Sequence, residues 1–369
     1  MRQLLHRIFL MVEKIIVRIR RRGEVEGAVI ENYDGYANRD TVILRGRVLE
    51  ESKAWEFRES DSGWRNFRGI TRYWFTREIP NATIHGEVAG EKFTTSTNEE
   101  GYFRVELPLP TPITQKERFI TFRSWLAGSD RCFEGLVQVI PESAERIIIS
   151  DIDDTVMETG ARQLWQMLKT TLFKNIHTRS VFPGVATFYQ SLLAHDRNPL
   201  FYVTSSPWNL RAFLQQVFEL RKVPRGPSFM TDWGLDRQKF LKEGHGKHKL
   251  RAIRHILTFH DDLPCLLIGD SGEKDPEIYR SIVEEFPGRV QAVYIRDVSD
   301  KARDQKVLDL GRACSKDGVP FLLVDSTAKA AQDARERKFI TLQSSLEMNP
   351  LDEAETWTQP IMIEQASPS

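Results

Sequence analysis

From Arg146 onward the chain repeats one pattern: a short apolar run, a polar turn, then a stretch with helical spacing. The apolar runs fall near residues 147–151, 200–204, 265–269, 290–295 and 321–324. Strands alternating with helical segments in this way predict an α/β fold built on a doubly wound parallel sheet. Ligands of such sheets sit in the crevice beyond the carboxyl ends of the strands. The residues that leave each run are therefore the ones to read for chemistry.

Ile147-Ile148-Ile149-Ser150 runs into Asp151-Ile152-Asp153-Asp154-Thr155. Side chains two apart in an extended segment share a face, so Asp151 and Asp153 both reach the crevice. An aspartate can attack phosphorus to form an aspartyl phosphate, while a second carboxyl protonates the leaving oxygen and later activates water. Taken alone, the segment reads equally well as an acidic turn capping the next helix. Leu200-Phe201-Tyr202-Val203 ends at Thr204-Ser205-Ser206-Pro207, a hydroxyl-rich turn. The Thr204 hydroxyl, with Ser205 and nearby main-chain N–H groups, can hold phosphate oxygens without adding charge. Cys265-Leu266-Leu267-Ile268 leads into Gly269-Asp270-Ser271-Gly272-Glu273-Lys274-Asp275, a GDxxxxD pattern whose glycines are read as permitting a tight turn. Its acids suit Mg²⁺, which takes hard oxygen ligands and usually only one or two carboxylates. Gly246-Lys247-His248-Lys249-Leu250 opens a stretch in which Leu250, Ile253 and Leu257 share a helical face.

These four segments, in this order, resemble the motifs of the haloacid dehalogenase superfamily. The resemblance implies Asp151 as nucleophile, Asp153 as general acid and base, and Thr204 in the second motif. It also favours Lys249 over Lys247 as the third-motif lysine that bridges the nucleophile and the phosphate. Asp151, the main-chain carbonyl of Asp153 and Asp270 would hold the metal, with Asp275 supporting the loop or an outer-shell water. An acid at position 153 points to phosphatases and phosphomutases. Two carboxylates repel an incoming phosphate by roughly 4 kcal/mol per charge pair at about 4 Å and an effective dielectric near 20. Mg²⁺ and Lys249 are needed to reverse that repulsion, and burial of Asp153 beside other acids raises its pKa as a general acid requires.

A narrower resemblance covers residues 146–300. It rests on the segments just quoted together with Tyr202-Val203, Pro207-Trp208 and Tyr294-Ile295-Arg296-Asp297-Val298. They resemble the phosphatidate phosphatase catalytic domain of the fungal actin-patch phosphatase family. Tyr33-Asp34-Gly35-Tyr36 through Arg45-Gly46-Arg47-Val48 is similar to the β-rich region preceding that domain in bacterial relatives. The resemblance implies Mg²⁺-dependent removal of phosphate from phosphatidate through an aspartyl phosphate, giving diacylglycerol. Threonine stands at position 204 where serine is more usual. A soluble phosphomonoesterase acting on a small metabolite or phosphoprotein is the alternative. A vestigial binding module is disfavoured because every charged site residue is present.

At 369 residues the chain exceeds what one hydrophobic core usually serves. The expected division is an amphipathic helix at 1–22, an all-β sandwich-like domain at 23–142, a HAD-like, Rossmannoid phosphatase domain with a small helical cap at 143–345, and a tail at 346–369. Val42, Leu44 and Val48, and later Phe103, Val105 and Leu107, alternate with polar or small residues between closely spaced turns, as short sandwich strands do. Trp55, Trp64, Trp74 and Trp125 are read as core or edge anchors of that module. The cap is placed between Met157 and Phe182, where Leu164, Leu168 and Leu172 share a face with Trp165 nearby. In residues 1–22 apolar residues at helical spacing accompany Arg2, Arg7, Lys14, Arg18 and Arg20–Arg22. That pattern fits either an anionic membrane surface or packing on the sandwich. It is not read as a signal peptide, since Glu13-Lys14 interrupts the apolar stretch and no small-residue cleavage site follows. Lys plus Arg equals Asp plus Glu at 52 each, which excludes a general nucleic-acid binder. Cys132, Cys265 and Cys314 are far apart and odd in number and show no disulfide framework or zinc spacing, so a cytoplasmic setting, free or at the inner membrane surface, is expected. The expected partner is a phosphorylated lipid or small molecule.

Overall fold

The computed structural model describes residues 27–50, 78–110, 113, 118–157, 181–194, 196–231 and 245–340. The amphipathic N-terminal segment, Trp55, Trp64, Trp74, the cap residues Leu164, Trp165, Leu168 and Leu172, and the 346–369 tail lie outside the described residues.

Seven strands form the first sheet: β1 (Ala28–Ala37), β2 (Thr41–Glu50), β3 (Thr83–Val88), β4 (Glu91–Ser96), β5 (Tyr102–Pro108), β6 (Phe119–Leu126) and β7 (Cys132–Gln138). Their order is β4-β3-β6-β7-β1-β2-β5. Neighbours run antiparallel except β1 and β7, which pair in parallel through Gly35 and Tyr36 against Val137 and Gln138. A register shift between Tyr33 and Tyr36 bends β1 where it meets two partners. The sheet curls until its edge strands β4 and β5 lie against each other. Val42, Leu44, Ile84, Phe122 and Val137 fill the concave side, so one sheet encloses its own core.

The second sheet contains β8 (Ile147–Ser150), β9 (Leu200–Pro207), β10 (Ser228–Thr231), β11 (Cys265–Asp270), β12 (Val290–Arg296) and β13 (Phe321–Val324), in the order β10-β9-β8-β11-β12-β13 with every pairing parallel. Six α-helices are described: α1 (Val185–Leu193), α2 (Arg211–Leu220), α3 (His245–Phe259), α4 (Asp275–Glu285), α5 (Lys301–Lys316) and α6 (Thr327–Glu336). Alternation along β8 divides them. Ile148 packs in one core with residues of α1, α2 and α6, whereas Ile147 and Ile149 pack in another with α3, α4 and α5. Among the described residues no helix is long and apolar enough to cross a membrane, and all three cysteines are free thiols.

The expected class, a HAD-like doubly wound domain with a small cap preceded by an all-β sandwich, is corrected on these observations. The upstream strands make one sheet, mixed because β1 and β7 pair in parallel, and curled nearly into a barrel, with its edge strands β4 and β5 meeting. Nor do the two sheets follow one another as separate layers. Tyr36 and Ile43 of the curled sheet belong to the same buried cluster as Ile147, Phe201 and Ile253. The strand expected at 200–204 also runs on to Pro207, because β10, not foreseen from the sequence, pairs along it as far as Thr231.

Polar contacts seal this shared boundary. Asp34 is buried and accepts from Arg225 Nε at 3.0 Å to each carboxylate oxygen and from Arg225 Nη2 at 2.6 Å. Arg211 Nη2 lies 3.9 Å from Asp34, while its Nη1 meets Glu31 at 3.3 Å. Tyr33 stacks on Trp208 with ring centroids 4.4 Å apart, and the Tyr36 hydroxyl is 2.7 Å from His255 Nε2. Asp34 is buried but the Arg225 side chain is 40% exposed, and Arg211 keeps Glu31, so solvent and that second acid offset part of the loss. Asp34→Ala is therefore expected to lower unfolding stability by about 1 kcal/mol, read as a shift in the urea midpoint. A change below about 0.5 kcal/mol, the usual range of a surface substitution, would show that this ion pair does not hold the two sheets together.

Candidate active site

Three parallel strands end side by side and deliver the acidic and hydroxyl groups to one place. β8 leads to Asp151 and Asp153, β9 carries Thr204 and Ser206, and β11 closes with Asp270. Asp151 N–H donates to the Ile268 carbonyl at 2.9 Å, which locks the first acid beside β11. A turn follows, with Asp154 in the left-handed region at φ 53° and Val156 N–H returning to the Ile152 carbonyl at 2.9 Å. Aspartate tolerates that conformation better than most residues.

Lys249, one turn into α3, is 2% exposed and sits at the centre. Its Nζ is 2.8 Å from Asp151 Oδ1, 2.9 Å from Glu273 Oε2 and 2.7 Å from Asp275 Oδ1. The contact with Asp275 is an aligned hydrogen bond, whereas that with Asp151 is an ion pair without such alignment. Burial alone would lower the lysine pKa, but Asp151, Asp275, Glu273 and Asp270 outweigh it and hold the ammonium charged. For the acids the balance runs the other way. Burial pushes the pKa of Asp151, Asp270 and Asp275 above the ordinary aspartate value, neighbouring acids including Glu273 add to it, and Lys249 offsets only part. One ammonium among these carboxylates leaves the cluster short of positive charge.

The donor set fits a hard cation. Ligand oxygens of Asp151, Asp270 and Asp275 lie within 4.8 Å of one another, all on buried residues. Asp151 Oδ2 and Asp270 Oδ2 are buried and accept no hydrogen bond. Such orphaned carboxylate oxygens are costly unless a proton or a cation meets them. The other Asp270 oxygen is committed, accepting from Gly272 N at 2.7 Å and Glu273 N at 2.9 Å. Asp275 is more engaged: one oxygen holds Lys249 and the other takes a long 3.4 Å contact from Asp270 N.

Asp153 faces away from the lysine, toward β9. Its Oδ2 accepts from Thr204 Oγ1 at 2.7 Å and Ser206 Oγ at 2.8 Å. Burial raises its pKa, with those two hydroxyls pulling in the opposite direction. Both donors converge on one oxygen, which leaves Oδ1 as the place for a proton. Thr204 Oγ1 also accepts from Ser206 N at 2.9 Å, so this hydroxyl is engaged within the protein. Ser205 points elsewhere, with its Oγ 3.5 Å from Glu273 Oε2.

Thus the structure brings together Asp151, Asp153, Thr204, Lys249, Asp270 and Asp275, and sets Ser205 at the rim beside Glu273. Three contributors were not singled out from the sequence. Ser206 was legible from strand alternation, being two residues beyond Thr204 and so on its face. Glu273 was one acid among several in the GDxxxxD segment. Arg303, in the first turn of α5, had no local signal at all. It clamps the acidic loop by donating to the Ser271 carbonyl at 2.9 Å and the Glu273 carbonyl at 2.6 Å, and it pairs with Glu277 at 2.6 and 2.8 Å. Gly269 was read as a turn residue, yet the requirement there is space: a Cβ would lie 2.5 Å from Asp275 Oδ2 and 2.8 Å from the Tyr279 hydroxyl.

Strand ends that gather carboxylates, hydroxyls and a buried ammonium make a site whose donors suit a hard cation. Residues 146–297 match the family described as "Phosphatidate phosphatase APP1, catalytic domain". A protein described as uncharacterized from Schizosaccharomyces pombe is 28% identical over 219 residues, covering 56% of this chain and 35% of that protein. Phosphatidate phosphatase APP1 of Saccharomyces cerevisiae is 30% identical over 161 residues, covering 42% of this chain and 27% of that enzyme. The chain thus spans about a third or less of the length of these curated relatives. Among solved structures, a carbohydrate acetylesterase from Xanthomonas citri is 13% identical at a TM-score of 0.27, covering 72% of this chain and 68% of that one, a likeness too slight to carry an argument.

The Arg303 clamp has a pH signature. Burial alone would raise the pKa of Glu277, but the Arg303 and Lys306 partners bring it down to about 2, against an ordinary 4.5. A depressed folded-state pKa contributes stability above pH 4.5, which is lost as pH falls toward 2. Because Glu277 is partly exposed, solvent screening reduces the contribution to about 1 kcal/mol. Glu277→Gln is expected to unfold at lower denaturant than the parent at pH 7, with the gap narrowing between pH 4.5 and 2. A pH-independent gap would mean that charge pairing is not what Glu277 supplies.

Proposed function

We propose that this protein is a Mg²⁺-dependent phosphatase that removes the phosphate of phosphatidate through an aspartyl-phosphate intermediate. The observation that carries the reading is the convergence of Asp151, Lys249, Asp270 and Asp275 at the strand ends, beside the separately held Asp153. The phosphatidate substrate is taken from the catalytic-domain match and the budding-yeast relative.

In this mechanism an Asp151 carboxylate oxygen attacks phosphorus, and the bond to the ester oxygen breaks. Asp153 donates its proton to the departing alkoxide, a role favoured by the burial that raises its pKa and by the hydroxyls that orient it. The resulting aspartyl phosphate is opened by water, whose proton returns to Asp153, and inorganic phosphate leaves. Lys249 remains charged throughout and opposes the phosphate charge beside the nucleophile. Asp151, the Asp153 main-chain carbonyl and Asp270 would hold Mg²⁺, which when bound supplies neutralisation of the phosphate oxygens. A lipid substrate also accords with the basic and apolar spacing of residues 1–22, which suits an anionic membrane surface.

Phosphate release is to be measured from phosphatidate vesicles, sugar phosphates and phosphopeptides, with Mg²⁺ and after chelation. The expected result is release from phosphatidate that needs Mg²⁺, is abolished in Asp151→Asn, and falls about 10²–10⁴-fold in Asp153→Asn. Preference for a soluble ester would turn the assignment to a small-molecule phosphomonoesterase. Full activity of Asp151→Asn would remove Asp151 as nucleophile.

A further inference from the structure

Of the three carboxylates around Lys249, Asp151 and Asp275 are sealed in the protein, with side chains 1% and 0% exposed, whereas Glu273 is 24% exposed. Only Glu273 can leave the lysine without disturbing the core. Its main chain is fixed: the N–H donates to Asp270 Oδ1 at 2.9 Å and the carbonyl accepts from Arg303 at 2.6 Å. Its carboxylate, by contrast, is held by Lys249 Nζ at 2.9 Å and by Ser205 Oγ at 3.5 Å. Those are two of the groups assigned above to the phosphate.

We infer that the Glu273 carboxylate occupies the seat of a substrate phosphoryl oxygen, and that a phosphate must displace it from Lys249 and Ser205 in order to bind. The inference rests on the proposed phosphatase reading and deepens it: Glu273 sets phosphate affinity, whereas Asp151 performs the displacement. Lys249 keeps Asp151 and Asp275 as partners when Glu273 leaves, so the exchange strands no buried ammonium. When phosphate arrives, one anion is exchanged for another, and the gain is only the difference between the two pairings. The expelled carboxylate swings toward solvent, yet remains a like charge at the rim. It therefore weakens binding of substrate and product alike and hastens release of inorganic phosphate.

Removing the charge while keeping the shape separates this role from metal binding. E273Q and E273A are compared with the parent for binding of inorganic phosphate at fixed Mg²⁺, for KM and kcat on a soluble aryl phosphate, and for the Mg²⁺ concentration giving half-maximal activity. The expected result is a roughly tenfold tighter phosphate inhibition constant in both variants, as loss of one like-charge contact implies. KM should fall in parallel, with the Mg²⁺ requirement unchanged. Phosphate affinity that is unchanged or weaker overturns the inference, as does a rise in the Mg²⁺ requirement together with a fall in kcat. Failure of both parent and variants to bind phosphate overturns it too. If the parent hydrolyses esters and the variants match it in every constant, the displacement idea alone fails. If phosphate binding tightens as expected but no ester is hydrolysed, the phosphatase reading alone fails.

Discussion

A single buried ammonium organises this protein. Lys249 reaches from the start of α3 to acids delivered by β8 and by the loop that joins β11 to α4, so one side chain ties three parts of the chain together. An ammonium so deeply buried is tolerated only because charged partners surround it. The acids, in turn, are tolerated together only because the ammonium is there. Even so the balance is negative, and Asp151 and Asp270 each keep a buried oxygen without a hydrogen bond. The site is built around a shortage of positive charge, which a divalent cation would relieve and which the proposed phosphate chemistry requires to be relieved.

Asp153 escapes that cluster by its direction. Two positions along from Asp151, it is turned toward the hydroxyls of Thr204 and Ser206 and not toward the lysine. Similar carboxylates in neighbouring positions thereby acquire different surroundings, one against an ammonium and one against neutral donors. Separation of this kind is what lets two acids take different parts in one reaction.

The curled sheet contributes to the same region from behind. Tyr33 stacks on Trp208, which follows directly on the strand that carries Thr204 and Ser206, and Arg45 lies 5.5 Å from the ring of the same tryptophan. Tyr36 and Ile43 enter the core beneath β9 and β8. The end of β9 is consequently gripped by residues from a distant part of the sequence. Local patterning of the upstream strands pointed to a sandwich because alternation records only that one face is buried. It does not say whether that face meets a second sheet or, as here, the opposite side of the same sheet.

What the sequence by itself determined is which polar residue types stand at the strand ends and their order along the chain. Apolar runs ending in Asp151, Thr204 and Asp270, with Lys249 between, mark strand ends and the residue types a phosphoryl site needs, since composition and period-two spacing are local properties. Tertiary structure alone decided which groups touch. Glu273 closes on Lys249, Arg303 clamps the acidic loop from α5, and Gly269 is small because Asp275 lies over it. Each of these depends on distances between segments remote in sequence. Such distances are set by how the sheets and helices pack against one another, which no local pattern of residues encodes.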